Sequence, residues 1–480
     1  MQLANQALWK QQAFIDGKWV NSETEQSQTV VNPSTEMVIG TIPLLTREQV
    51  LASVTSAERA YATFQHTLAE ERAELLRRWH ALIMQHQTDL AALLTLEQGK
   101  PLQEAMAEVA YAASFVEWYA EEARRVHGEI IPTHKAGSEV LVTKVPVGVV
   151  AAITPWNFPA AMVTRKCAPA IAAGCSVVLK PAPDTPFTAL ALAHLAQEAG
   201  LPAGVLNVVT GDAVIMGEIL TQHRSIRKLS FTGSTAVGKL LMQQSAFNVK
   251  KLSLELGGNA PFIVFDDADI EAAVEGAMLS KFRNAGQTCI CANRIYVHDA
   301  IYDQFAAKLV ERVTALKVAD GFEQGADIGP LINQAAIDKV KAHVEDALAN
   351  GAKLRCGGRS HGHFVMPCVL TEATEDMRLA QEETFGPVAA LFRFNNEAEV
   401  IARANKYESG LAAYFYSQSL KRVWRVSRAL EAGIIGVNEG LVSTAVAPFG
   451  GVKESGIGRE GAKQGIEAYL ETKYVLMGGL

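Results

Sequence analysis

Between residues 148 and 231 the chain repeats one pattern, in which short apolar segments alternate with longer stretches of helical spacing. The short segments are 148–154, 176–179, 205–209 and 228–231, and three of them are rich in valine. Strands and helices that alternate in this way build a largely parallel sheet covered by helices. The rhythm is that of a nucleotide-binding domain, so the pattern predicts an α/β fold with a Rossmann-type domain.

The rest of the chain extends this interpretation. Residues 46–127 place apolar side chains at helical spacing, and strand–helix alternation resumes after residue 258 and runs to about residue 438. Residues 140–145 are rich in valine and predict one strand of a β arm. A second α/β domain is therefore expected to follow the first.

Charge and cysteine count exclude several classes of protein. With 44 basic and 51 acidic residues the formal charge is −7, which gives no reason to expect nucleic acid or an acidic membrane as a partner. The first thirty residues lack a basic segment followed by an apolar one, and no run of eighteen apolar residues occurs, so a cytoplasmic protein without a membrane span is expected. Six cysteines without CxxC spacing indicate reduced thiols and no metal site.

The segment 282–289 presents one cysteine in a setting suited to covalent chemistry. Gly286 lets the backbone approach a ligand closely, and two polar residues precede Cys289. Upstream, Glu255 ends an apolar strand and is followed within three residues by two glycines. A thiol and a carboxylate so presented provide a nucleophile and a general base. Asn157 follows a strand and a Pro-Trp turn, where its amide could hydrogen-bond an oxyanion.

These segments occur in the order and spacing of the aldehyde dehydrogenase superfamily, and the resemblance extends from residue 32 to residue 460. It implies that the Cys289 thiolate attacks an aldehyde to form a thiohemiacetal, which is oxidised to a thioester. Asn157 and the Cys289 N–H would stabilise the oxyanion, and Glu255 would activate water against the thioester.

The same resemblance implies a division of the chain into domains. The dinucleotide-binding domain would comprise 1–127 and 147–257, and the catalytic domain 258–453. Residues 128–146 and 454–480 resemble the oligomerisation arm and tail of the family. They predict a homodimer or homotetramer.

A strand that turns into a helix at 229–238 predicts part of a nucleotide site. Gly233 and Ser234 stand at the helix start, where backbone N–H groups attract a pyrophosphate, and Gly238 follows within the helix. The spacing is not GxGxxG, and taken alone it suits an ordinary glycine turn as well. By resemblance, the residues that bind NAD or NADP are these three together with Trp156, Lys180, Pro183, Glu383 and Phe385.

Lys180 and Pro183 bear on which nucleotide is bound. By resemblance, Lys180 contacts the adenosine ribose. NAD-preferring relatives often carry a glutamate where this chain has Pro183, and a proline can neither accept from ribose hydroxyls nor repel a 2′-phosphate. NADP is therefore expected to bind at least as well as NAD.

Two arginines flank the catalytic segments and favour a substrate with a distal carboxylate. Arg165 and Arg283 could each be a structural ion pair, but together near Cys289 they suggest a carboxylate clamp that Ser443 completes. Residues 282–294 resemble the succinate-semialdehyde dehydrogenase branch of the family. Succinate semialdehyde is the expected substrate, and glutarate semialdehyde stays open because one methylene contributes only about 1–3 kcal/mol.

Other functions remain as alternatives. A dehydrogenase for uncharged or cationic aldehydes would not need Arg165 and Arg283. A cofactor-free thiol hydrolase would need only Cys289 and Glu255, and a non-catalytic relative would need neither. The nucleotide turn disfavours the second alternative, and the complete catalytic set disfavours the third.

Cys291 lies two residues after Cys289 and predicts a redox function. A low-pKa nucleophile beside a resolving thiol is typical of a redox sensor. A reversible disulfide requires the intervening Ile290 to bend, since bridged Cα atoms usually lie about 4.4–6.8 Å apart. The alternative is that Cys291 only fills space behind the site.

Overall fold

The computed structural model describes residues 3–479, so that Met1, Gln2 and Leu480, at the ends of the predicted first domain and tail, lie outside it. The helices are α1 (Arg47–Phe64), α2 (Ala69–Gln85), α3 (Gln87–Gln98), α4 (Leu102–Glu122), α5 (Ala161–Ala173), α6 (Phe187–Glu198), α7 (Ala213–Gln222), α8 (Thr235–Ser245), α9 (Ile270–Phe282), α10 (Tyr302–Thr314), α11 (Gln334–Ala349), α12 (Arg378–Gln381), α13 (Glu397–Asn405), α14 (Leu420–Ala429) and α15 (Ala462–Glu467).

The first strands are β1 (Ala13–Ile15), β2 (Lys18–Val20), β3 (Ser27–Val31), β4 (Val38–Pro43), β5 (Glu129–Ile131), β6 (Ser138–Pro146), β7 (Val149–Ile153), β8 (Ser176–Lys180), β9 (Leu206–Val208), β10 (Ile226–Thr232), β11 (Lys251–Glu255) and β12 (Ala260–Val264). The others are β13 (Ala292–His298), β14 (Lys353–Cys356), β15 (Ser360–His361), β16 (Phe364–Val365), β17 (Cys368–Thr371), β18 (Val388–Phe394), β19 (Ser409–Gly410), β20 (Ala412–Tyr416), β21 (Ile434–Val437), β22 (Val452–Lys453), β23 (Gly456–Ile457) and β24 (Leu470–Gly478).

The predicted α/β fold is confirmed, and the four predicted strands are β7 to β10. They belong to an eight-stranded sheet in the order β2-β1-β9-β8-β7-β10-β11-β23, whose strands β7 to β11 pair in parallel. The chain runs from β7 outward to β9 and then returns to the other side of β7 with β10. Such a reversal opens a crevice at the carboxyl ends of the strands, where open α/β sheets bind ligands.

A second sheet has seven strands in the order β14-β17-β18-β13-β12-β20-β21, all parallel except the β14–β17 pair. A buried apolar core surrounds this sheet, while two further cores cover the faces of the eight-stranded sheet. Helix α9 follows β12 of this second sheet and ends at Phe282. The segment that contains Cys289 therefore begins at the end of this helix.

A third sheet joins β5, β6 and β24. Strand β6 begins and ends further out than the predicted 140–145, and it pairs antiparallel with β24 from Ser138↔Gly478 to Pro146↔Leu470. Much of this sheet is exposed, including Tyr474 and Leu476. The domain boundaries drawn from the sequence stay a prediction.

Helix α5 is the element of the fold that matters most to the site. It starts shortly after β7 and is buried along its whole length, although it carries Arg165 and Lys166. It packs against α4 in the core. A buried arginine and a buried lysine need a paired anion, because an isolated buried charge is strongly unfavourable.

Candidate active site

The parallel strands of the first sheet bring four predicted site residues to one edge. Asn157 lies just beyond the end of β7, Lys180 ends β8, Gly233 follows β10, and Glu255 ends β11. Neighbouring strand ends are in register, because Ile153 pairs with Lys180 and Thr232 pairs with Glu255. The N–H of Gly233 donates to the Glu255 carbonyl at 3.1 Å, which joins the nucleotide turn to the catalytic strand.

A cleft of about 370 Å³ opens at this edge and reaches Cys289. The predicted residues in its lining are Trp156, Asn157, Gly233, Ser234, Cys289, Glu383 and Phe385. Its lining also includes residues that the sequence analysis did not single out, among them Met162, Thr232, Leu256, Ile332 and Lys339. The predicted residues outside this lining are Lys180, Pro183, Gly238, Glu255, Arg165, Arg283, Ser443 and Cys291.

The loop before Cys289 is held in an unusual backbone conformation. Asn284 and Ala285 both have left-handed φ values, of 52° and 55°, which are unfavourable for residues other than glycine. The Asn284 N–H donates to the Glu104 carboxylate at 2.9 Å, and its side-chain amide donates to the Asn157 carbonyl at 2.9 Å. These bonds offset the strain and tie the nucleophile loop to the loop that carries Asn157.

Close backbone packing also places Cys289. A Cβ atom at Gly258 would lie 2.3 Å from the Cys289 carbonyl oxygen, so only glycine fits there. Gly258 therefore has a packing function that its sequence position alone did not reveal.

Asn157 is held from two sides. Its amide nitrogen donates to the Gln287 carbonyl at 2.9 Å, and its own carbonyl accepts from Lys100 Nζ at 2.9 Å. An amide nitrogen has two N–H groups, so one stays available. Within residues 3–479 no protein acceptor pairs with the Cys289 N–H. The two groups expected to stabilise an oxyanion thus each retain one N–H without a protein acceptor among the described residues.

The expectation of a low-pKa nucleophile is wrong for the protein in this state. Burial raises the pKa of Cys289 to about 12, helped by the negative charge of Glu383, while Arg165 and Arg283 act in the opposite direction. Burial disfavours the charged thiolate more than the nearby cations favour it. The thiol therefore needs a base to deprotonate it.

Glu255 is the carboxylate that the sequence predicts as the base. It is buried, and neither of its oxygens has a hydrogen-bond partner among the described residues. Burial raises the pKa of Glu255 well above its ordinary value, and the Glu460 carboxylate raises it further. The positive charges of Arg165 and Lys166 lower this pKa, but by less. A raised pKa makes the ionised carboxylate a stronger base.

Glu460 was not predicted as a site residue, yet it organises the charges around Glu255. Lys166 Nζ lies 2.5 Å from one of its oxygens, and Arg165 Nε lies 2.7 Å from the other. Burial alone would raise the pKa of Glu460, but Lys166 and Arg165 outweigh it and lower that pKa. Glu460 thus stays ionised and compensates the two cations of α5.

The nucleotide residues fit a dinucleotide in several respects. Ser234 is the N-cap of α8, whose N-terminus faces the cleft, and the Thr232 hydroxyl is buried without a partner. A Cβ at Gly238 would lie 2.3 Å from Leu256, so this glycine permits close packing of the helix on the strand. Trp156 and Phe385 pack edge to face at 5.6 Å.

Two charged side chains border the same region. Glu383 accepts from the Gly258 N–H at 3.1 Å, and burial raises its pKa to about 7. Burial lowers the pKa of Lys180, while Asp212 and Asp184 oppose that effect. Pro183 lies between Lys180 and Asp184 in the chain, so an acidic side chain is present one residue after the proline.

Comparison with known proteins agrees with this geometry. Residues 19–475 match the sequence profile described as the aldehyde dehydrogenase family. The chain belongs to that family. It is 56% identical to the NADP-dependent succinate-semialdehyde dehydrogenase of Escherichia coli K12, with all of both chains covered. It is 55% identical to a glutarate-semialdehyde dehydrogenase of Pseudomonas putida, with 99% of each covered.

A solved structure shows that the similarity extends to the fold. The crystal structure of an E. coli NADP-dependent enzyme has a TM-score of 0.99 and 55% identity, with 100% of both chains covered. This member of the aldehyde dehydrogenase family has no helix within residues 3–479 that is long and apolar enough to cross a membrane.

The arginines predicted to bind substrate occupy different surroundings. Arg165 pairs with Glu460 and stacks on Phe449 at 3.8 Å, so the ion pair considered from the sequence is present. The Nε–Oε2 separation is short, but its direction is not that of a hydrogen bond, and Nε and Nη2 of Arg165 remain unsatisfied. Arg283 faces the Phe158 ring at 5.3 Å and has no carboxylate within 4.0 Å in the described part of the chain.

Cys291 faces away from solvent. It is buried, and its Sγ donates to the Lys281 carbonyl at 3.0 Å. Burial also raises the pKa of Cys291. Both Cys289 and Cys291 are free thiols in this structure. These contacts agree with a space-filling residue, and the redox pairing stays a prediction.

Replacing Glu460 by Gln is expected to lower the pKa of Glu255. The substitution removes a negative neighbour while the charges of Lys166 and Arg165 remain. The acidic limb of the deacylation rate should therefore move toward lower pH, because a like charge near Glu255 has been removed. The measurement is the pH dependence of hydrolysis of an acyl group preformed on Cys289.

The matched control for that prediction is Glu454→Gln, which removes a half-exposed carboxylate paired with Lys239 on the surface. It should leave the pH profile unchanged. An acidic limb that stays in place or moves to higher pH in Glu460→Gln would contradict the electrostatic coupling of Glu460 to Glu255.

Proposed function

We propose that this aldehyde dehydrogenase oxidises succinate semialdehyde to succinate with NADP or NAD. The observation that carries the proposal is the presence of two arginines, Arg165 and Arg283, near the half-buried Cys289. Both arginines act on the pKa of Cys289, and the unsatisfied N–H groups of Arg165 suit a carboxylate ligand. The named activity of the E. coli relative supports the same substrate.

In the first half of the reaction, Glu255 takes the proton of the Cys289 thiol, and the sulfur forms a bond to the aldehyde carbon. The raised pKa of Glu255 brings it closer to that of the thiol, which makes this transfer less unfavourable. Asn157 Nδ2 and the Cys289 N–H stabilise the resulting oxyanion, a type of contact that contributes about 10²–10³ in rate per donor. When bound, the nicotinamide nucleotide supplies the hydride acceptor for this oxidation.

In the second half, Glu255, which has passed the first proton to solvent, removes a proton from water as the water attacks the Cys289 thioester. The carbon–sulfur bond then breaks, Glu255 returns its proton to the sulfur, and the acid product releases its own proton to solvent as the carboxylate forms. Trp156, Gly233, Ser234, Glu383 and Phe385 would hold the nucleotide in the cleft, and Lys180 would contact its ribose. The Thr232 hydroxyl, buried without a partner, is an additional donor toward it.

Replacing Glu255 by Gln should slow acylation of Cys289, since the thiol must then lose its proton to solvent, and should stall hydrolysis more severely, because the amide cannot remove a proton from water. A burst of reduced nucleotide followed by slow turnover is expected. Mass spectrometry should find the acyl group on the peptide that contains Cys289, and Cys289→Ala should show neither burst nor adduct. An adduct on another cysteine would contradict the assignment.

Replacing Arg283 by Ala tests the substrate. A hydrogen bond to a charged group contributes roughly 1.5–3 kcal/mol, so KM for succinate semialdehyde should rise about ten- to a hundredfold. KM for butanal, which has no carboxylate, should change little. Arg124→Ala, which removes an exposed arginine of a surface ion pair, is the control. Equal losses on both aldehydes would show that Arg283 supports the fold only.

Glutarate semialdehyde is the second candidate substrate. The 55% identity to a glutarate-semialdehyde dehydrogenase is nearly the same as that to the E. coli enzyme, so identity does not separate them. Both aldehydes carry a distal carboxylate and would use Arg165, Arg283 and Ser443. The ratio of kcat/KM for the two aldehydes decides between them.

The proposed nucleotide preference is NADP at least equal to NAD. Pro183 cannot accept from ribose hydroxyls, and Lys180 offers a cation for a 2′-phosphate. Asp184 beside Lys180 acts against this preference through its negative charge. The ratio of kcat/KM for the two nucleotides measures the balance, and a preference for NAD of more than about tenfold, or roughly 1.4 kcal/mol, would contradict it.

We further propose that Cys289 and Cys291 form a reversible disulfide under oxidation. The Cys291 thiol would have to leave the Lys281 carbonyl, and the backbone at Ile290 would have to bend. Peroxide should inactivate wild type, with full recovery in dithiothreitol, whereas Cys291→Ala should become irreversibly inactive. The same recovery in both proteins would contradict the disulfide.

The assembly and its location are also proposals. The sheet of β5, β6 and β24 exposes Ile130, Leu476 and Met477, which favours burial against another copy in a homodimer or homotetramer. Light scattering measures the mass of that assembly. Cytoplasmic location is proposed from the six free cysteines and is tested by fractionation of cells.

A further inference from the structure

The hydroxyl of Tyr111 is a buried polar group without a partner. Tyr111 lies on α4, and its oxygen has no hydrogen-bond partner among residues 3–479. Folded proteins pair nearly all such groups, because an unpaired one retains the full cost of its lost hydration. A group that breaks this rule near an active site points to a ligand, so its surroundings matter.

The ring of Tyr111 shares its neighbour Phe115 with Arg165. It packs edge to face on Phe115, with ring centroids 4.9 Å apart, and the Arg165 guanidinium lies 5.7 Å from the same Phe115 ring. Burial raises the pKa of Tyr111, while Arg165, Arg283 and the Ser443 hydroxyl oppose that effect. The hydroxyl therefore stays protonated at neutral pH, as a hydrogen-bond donor should.

Arg165, which acts on the pKa of Tyr111, also has unsatisfied donors. Glu460 lies on one side of the Arg165 guanidinium, yet Nε and Nη2 of Arg165 have no hydrogen-bond acceptor in the described chain. Ser443 lies close enough to Tyr111 to affect its pKa, but no hydrogen bond of good geometry joins them. A cluster of donors without acceptors is complementary to an anion.

We propose that the Tyr111 hydroxyl donates a hydrogen bond to the distal carboxylate of the substrate and is a specificity-determining residue. The proposal rests on the proposed function, since it names the carboxylate of succinate semialdehyde as the ligand. A neutral donor adds to the two arginines because a carboxylate accepts about four hydrogen bonds. A site built to bond a polar group also discriminates against substrates that lack it.

The test is Tyr111→Phe, which removes the hydroxyl and keeps the ring on Phe115. KM for succinate semialdehyde should rise about tenfold, with kcat and KM for butanal nearly unchanged. Succinate as a competitive inhibitor should lose about tenfold in affinity, and butanamide, which has no carboxylate, should lose little, which reports binding without turnover. The melting temperature should not fall, because the hydroxyl has no partner to lose.

The matched control is Tyr119→Phe. Tyr119 lies about two turns further along α4, and its hydroxyl is also buried and unpaired, packed against Gly465. Removing that hydroxyl should leave KM for succinate semialdehyde and inhibition by succinate as in wild type. An equal rise in KM in both variants would overturn the proposal, since it would reflect a disturbance of α4.

The remaining outcomes separate this proposal from the proposed function. If the wild-type enzyme prefers succinate semialdehyde over butanal, but KM of Tyr111→Phe for succinate semialdehyde stays within about twofold of wild type, only the role of Tyr111 is overturned. Equal losses on both aldehydes, or a fall in melting temperature, overturn it as well, because they show a structural role. A wild-type enzyme without any preference for the carboxylate overturns both.

Discussion

The buried ion pairs of Glu460 are the interaction on which the site depends. Helix α5 is buried over its whole length and brings two cations, Arg165 and Lys166, into the core. Glu460 lies within 2.7 Å of both and lets them be buried in charged form. Removing one partner of such a pair typically costs about 3–5 kcal/mol, because the remaining charge has no compensation. The position of Arg165 near Cys289 follows from this arrangement.

The same ion pairs set the charge around the catalytic residues. Glu460 raises the pKa of Glu255, and Arg165 lowers that of Cys289 against the effect of burial. One carboxylate thus makes Glu255 more basic, while the cation that it holds favours the Cys289 thiolate. Neither effect comes from Cys289 or Glu255 alone, and both depend on the tail folding back onto α5.

Unsatisfied buried groups collect at this site. Both oxygens of Glu255, two nitrogens of Arg165 and the hydroxyl of Tyr111 have no partner among the described residues. Each such group costs roughly 1–3 kcal/mol relative to a paired one. Functional sites commonly retain arrangements that reduce the stability of the fold, because the unpaired donors and acceptors are what a substrate can bind. The residue pairs that hold Asn157 and Asn284 in place stabilise the surrounding loops.

The sequence by itself determined the alternation of strands and helices, hence the parallel sheet and the strand ends that carry Asn157, Lys180, Gly233 and Glu255. Those features depend on the local periodicity of apolar residues, which the sequence alone shows. Only the tertiary structure decided which side chains meet across elements. Tyr111 and Glu460 belong to no local motif, and they join the site because α4 and the tail pack against α5. The thiol pKa was also beyond local reasoning, since it depends on burial and on charges from distant segments.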